Sequence, residues 1–67
     1  MPDDRYTYTI EAHYEAVAST RYRVTVFYEG HSIGLSWTDT KFFARRAAKR
    51  IARNHARGPI TIEKKFL

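Results

Sequence analysis

The hydrophobic rhythm of this chain changes once, at Thr38-Asp39-Thr40, and that change limits the fold more than any other feature. Before it, apolar residues recur at every second position, the period of a half-buried strand. Tyr6, Tyr8, Ile10, Ala12 and Tyr14 hold even positions, with Thr7, Thr9, Glu11, His13 and Glu15 between them. The pattern predicts a strand over 6–16, a turn at Ala18-Ser19-Thr20 and a second strand over 21–29. In that second strand Tyr22, Val24, Val26 and Tyr28 share one face, and Arg21, Arg23, Thr25 and Phe27 the other. Gly30 suits a tight hairpin because it accepts positive φ. A third strand over 31–37 follows, with Ile33, Leu35 and Trp37 expected inward and Ser32, Gly34 and Ser36 outward.

After Thr40 the period becomes 3.6. Ala44, Ala47, Ala48, Ile51 and Ala52 make one apolar stripe of a helix over 41–57. Thr and Asp are good N-caps, and Gly58-Pro59 is a helix stop. Ile60 to Phe66 alternates again, which predicts a short fourth strand. The expected fold is α+β in the order β-β-β-α-β: a three-stranded antiparallel meander packed on one helix, with a C-terminal strand added. Phe43 is expected on the core side. Phe42 falls among Arg45, Arg46 and Lys49, either packed on the sheet edge or offered as a stacking ring.

At 67 residues the chain has room for a single small domain. With no cysteine it has neither a disulfide framework nor a thiol nucleophile. A core this small depends on large rings, and five Tyr, four Phe and one Trp supply them. Self-association as a homodimer is a second source of burial. The polar start Met1-Pro2-Asp3-Asp4-Arg5 and the short apolar runs predict a cytoplasmic domain with no membrane segment.

Charge is distributed unevenly. The formal net charge is +5, yet 41–57 contains Lys41, Arg45, Arg46, Lys49, Arg50, Arg53 and Arg57 with no Asp or Glu. A helix that is merely solvated usually pairs opposite charges at i, i+4. Here Lys41/Arg45, Arg45/Lys49, Arg46/Arg50, Lys49/Arg53 and Arg53/Arg57 all repel. Such a stripe makes physical sense against an external polyanion, and nucleic-acid phosphate is the commonest one. Arginine adds a fork that grips phosphate or the guanine edge. On the expected open sheet face, Arg21 and Arg23 alternate with Thr25 and Phe27, a second surface of the kind that meets nucleic acid.

Catalytic signals are missing. His13, His31 and His55 are far apart in the sequence and form no His-x-x-x-His pair. Glu11, His13 and Glu15 share a strand face at spacings too wide for one ion. There is no nucleophile elbow and no phosphate-cradling Gly-rich loop. The sequence predicts a domain that is not an enzyme, with no cofactor and no metal.

Tyr22 to Ala52 resembles the last hairpin and helix of AP2-type and phage-integrase arm-binding domains. Trp37, Thr40, Ala44, Ala47 and Ala48 carry the likeness. That resemblance implies DNA read by the open sheet face, through Arg21 and Arg23. The same stretch is similar to the second half of a double-stranded RNA-binding domain, with Lys41, Ala44 and Arg45 matching the opening of its helix. Phe42 departs from that pattern, and a strand stands where its first helix belongs. Each likeness spans about half the chain.

The leading expectation is a small nucleic-acid-binding protein, DNA ahead of RNA, contacting phosphates through Lys41, Arg45, Arg46, Lys49, Arg50, Arg53 and Arg57. Arg21 and Arg23 are further candidates. The alternative is a small protein-interaction module, of the kind phages encode, whose basic helix or sheet edge binds an acidic protein.

Overall fold

Two consecutive positive φ angles, 51° at Glu29 and 84° at Gly30, close the hairpin between the second and third strands. That pair is the backbone of a two-residue turn whose twist matches the flanking strands. The computed structural model of the chain describes residues 1–14 and 20–65. The expected turn residues Ala18 and Ser19, Glu15 and the Phe66 end of the fourth strand lie outside the described residues.

The elements are β1 (Asp3–Tyr14), β2 (Thr20–Tyr28), β3 (His31–Thr38), α1 (Lys41–Ala56) and β4 (Ile60–Lys64). They form one sheet in the order β3-β2-β1-β4. β1 and β3 each run antiparallel to β2, and β4 runs parallel to β1. The fold is therefore the expected α+β arrangement, with α1 linking the two sheet edges across one face. β1 starts at Asp3, earlier than its alternation suggests, because Asp3 N–H donates to the Pro59 carbonyl at 3.1 Å and Asp3 pairs with Ile60.

Close approach of helix to sheet makes the core. Ala44, Ala48 and Ala52 are fully buried against Tyr6, Tyr8, Val24 and Val26. Methyl groups on the helix let it settle low, so the tyrosines and valines of the central strands fill the space.

β3 does not face as its alternation predicts. A bulge shifts its register against β2: Val26 pairs with Gly34 and Phe27 with Ser32, leaving Ile33 as the extra residue. Ile33 packs on the core, and the phase then reverses. Gly34 lies under α1, where an added Cβ would meet Ile51 Cγ2 at 2.7 Å. Leu35 and Trp37, expected inward, are 52% and 48% exposed on the opposite side. Alternation cannot reveal one inserted residue, and the packing of Ile51 needs a residue without a side chain at 34.

A polar network binds the far end of the sheet to the helix C-terminus. Arg5 donates to both oxygens of Asp3, at 3.0 and 2.9 Å, and to Glu29 at 2.7 Å. Its guanidinium lies 4.7 Å from the Tyr28 ring centroid. Tyr28 Oη donates to Asp3 at 3.3 Å, and the Tyr6 hydroxyl shares a 2.7 Å hydrogen bond with His55 Nδ1. The Arg5 hydrogen bonds hold the Asp3 carboxyl down at about 2, against a partly opposing desolvation. Burial pushes the Tyr6 and Tyr28 hydroxyls up.

Two outcomes follow for stability. Gly34→Ala should destabilise by about 1–3 kcal/mol through overpacking. Adding Ile51→Ala should make the Gly34→Ala step nearly neutral, as a denaturant double-mutant cycle would show. Asp3 is depressed in the folded state, so its contribution is complete above the ordinary value of 3.8 and fades as pH falls toward about 2. Urea midpoints measured between pH 5 and 2 should decline, and Asp3→Asn should flatten that decline.

Candidate nucleic-acid interface

The basic surface is built from a single capped helix. Thr40, in extended backbone, accepts from the Phe43 N–H at 3.2 Å through its hydroxyl, and its carbonyl accepts from Ala44 N–H at 3.0 Å. This start fixes the rotation of the whole cylinder: Ala44, Ala48 and Ala52 point down and the cations point out. Lys41, Arg45, Arg46, Lys49, Arg50, Arg53 and Arg57 are all exposed. The structure thus brings the seven predicted helix cations onto one continuous surface.

Among the described residues, none of these seven has a salt bridge. The ion pairs formed there by Asp3, Glu29 and Glu11 serve Arg5, Arg23 and His13. Within α1, Arg46 lies 5.9 Å from the Phe42 ring centroid. The first turn holds no acidic residue. Positive charge therefore accumulates along α1 with no carboxylate paired to it among the described residues.

Two open clefts flank the helix. One, of about 780 Å³, lies between α1 and the edge strand β3 and includes Leu35, Phe43, Arg46, Arg50, Ile51 and Arg53 in its walls. The other, of about 390 Å³, lies toward β1 and β4 and is lined by Tyr8, Ile10, Lys41, Phe42, Arg45 and Lys64. The two rings at the head of α1 meet edge to face at 5.6 Å, so each cleft ends on one of a touching pair. Phe42 is 68% and Phe43 53% exposed.

Phe43, expected on the core side, therefore stays at the surface. At 100° per residue it lies roughly 140° around α1 from the centre of the buried Ala44, Ala48 and Ala52, which turns the ring away from the core. Counting Ala47 and Ile51 in the stripe widens it toward Phe43, and the narrower stripe that is actually buried is the signal that places the ring outside.

The open sheet face differs in character. Arg23, predicted as a nucleic-acid contact, is ion-paired with Glu11 across β1 and β2. His13 Nε2 is 3.5 Å from the same carboxylate, and its ring meets Trp37 edge-on at 5.1 Å. Arg21 stands opposite His13 in the register. Lys65 lies over the Phe27 ring at 5.6 Å. Cations and carboxylates are interleaved here, so this face lacks the one-sided charge of α1. Arg21 and Arg23 lie on the opposite side of the sheet from the seven helix cations.

The chain matches no protein-family model, no curated protein and no solved structure. No helix among the described residues is long and apolar enough to cross a membrane. No group of three or more His, Cys, Asp or Glu among them is placed to hold a metal ion.

The helix ends on a residue that resists its conformation. Arg57 caps α1 at φ 57°, ψ 32°, with its N–H donating to Arg53 O at 2.8 Å. Glycine takes this left-handed geometry without the Cβ penalty, and here it stands one position later. Arg57→Gly should raise stability by about 1 kcal/mol in thermal or denaturant unfolding.

Proposed function

We propose that this chain is a non-enzymatic nucleic-acid-binding domain that contacts phosphates through α1. Lys41, Arg45, Arg46, Lys49, Arg50, Arg53 and Arg57 are the contacting residues. The observation that carries the reading is their common exposure with no carboxylate partner among the described residues. Like charges spaced at i, i+4 cost the isolated helix a few tenths of a kcal/mol per pair. Phosphates relieve that repulsion, and the counterions they release supply the binding free energy. The helix is favoured over the sheet face because Arg23 already serves Glu11. DNA stays ahead of RNA, as the sequence resemblance to AP2-type and integrase arm-binding domains implies, while the sheet-face contact implied by the same resemblance is not part of this proposal.

A second reading has its own observation. β3 is a sheet edge whose residues include no Lys, Asp, Glu or Pro, the usual guards against strand pairing. The cleft beside it carries Arg46 and Arg50, which suits an acidic extended protein segment. A protein complex that persists after nuclease treatment and depends on β3 would favour this reading.

Fluorescence anisotropy with labelled DNA at two salt concentrations tests the leading proposal. Arg46→Glu, Arg50→Glu and Arg53→Glu together should weaken binding across all sequences. On duplex they should reduce the slope of log K against log salt by about 0.9 for each phosphate no longer neutralised. Absence of binding by the unaltered protein at low salt overturns the proposal.

A further inference from the structure

Phe42 and Phe43 carry more information about the ligand than the cations do. Two phenylalanines that touch each other and remain more than half exposed leave a large apolar surface in water. Around them stand Lys41, Arg45 and Arg46, and each ring forms the end of a cleft with cationic walls. A purely apolar partner would cover the rings and strand those charges away from solvent, which is costly. A duplex offers phosphates while its base faces stay stacked inside, so it would neutralise the cations and leave the rings uncovered. One ligand class presents flat apolar faces and anionic groups together in every repeating unit: a single strand of nucleic acid.

Resting on the proposal that α1 binds nucleic acid, we infer that the preferred ligand is single-stranded, with bases stacked on Phe42 and Phe43. The strand crosses the head of α1 from the β4 side to the β3 side. One base enters the cleft ending on Phe42 and another the cleft ending on Phe43. Arg45, Arg46 and Arg50 take the phosphates between and beyond them. Stacking of this kind tolerates any base, because each has a π face. Arg46 already lies near the Phe42 ring and would follow a stacked base with its guanidinium plane.

Neither ring belongs to the buried core, so both can be truncated without opening a cavity. The test is anisotropy at one low salt concentration with three probes: a 20-nucleotide deoxythymidine strand, an abasic strand of the same length, and a 20-base-pair duplex. The unaltered protein should bind the thymidine strand more tightly than either of the others. Phe42→Ala and Phe43→Ala should each weaken thymidine-strand binding about 10-fold, the order of one base–ring stack removed. The double variant should fall to the abasic level with duplex binding unchanged, and Phe42→Tyr with Phe43→Tyr should restore the preference.

Equal or tighter duplex binding, or a double variant that binds the thymidine strand undiminished, overturns the single-strand inference while leaving the phosphate reading intact. No binding to any of the three probes overturns both. A concentration-dependent dimer, seen by sedimentation and abolished in the double variant while strand binding is unaffected, overturns the inference in favour of a second copy covering the rings.

Discussion

The contact between the alanines of α1 and the central strands governs this molecule. Ala44, Ala48 and Ala52 bring the helix so near the sheet that Tyr6, Tyr8, Val24 and Val26 close the gap from below. Other distinctive features follow from that contact. Residue 34 has to lack a side chain where Ile51 descends. The bulge at Ile33 delivers Gly34 to that position and turns Leu35 and Trp37 outward. The rotation of α1 that buries the three alanines turns the rings at its head outward beside the cations.

The same geometry separates two electrostatic regimes. At the C-terminal end of α1, aromatic and charged groups satisfy one another, from Arg5, Asp3 and Glu29 to Tyr28, Tyr6 and His55. On the open sheet face Arg23 and Glu11 do likewise. Along the outer surface of α1 the cations find no such partner among the described residues. The net positive charge of the chain is thereby concentrated on the outer surface of α1, on the side away from the sheet.

Much of this architecture was legible in the residues. Period-two alternation through Tyr14 and Tyr28 marked the first two strands, and the change of period after Thr40 located the helix and its cap. The charge stripe needed no coordinates, since a helix that with its cap carries seven cations and no acids must expose most of them. The β3 phase was hidden because a bulge inserts one residue without a compositional mark. The ion pair between Arg23 and Glu11 was hidden because it depends on the β1–β2 register, which alternation leaves open by steps of two.

What the linear order of residues determined by itself is the set of elements and the sign and location of the charge. Both depend on short-range periodicity and on a count, which are properties of neighbours along the chain. Only the tertiary structure decided which side of β3 faces the helix, that β4 joins beside β1 in parallel, and that Phe42 and Phe43 stay at the surface. Those outcomes depend on register, strand pairing and the rotation of the helix on the sheet, which are set jointly by residues far apart in sequence.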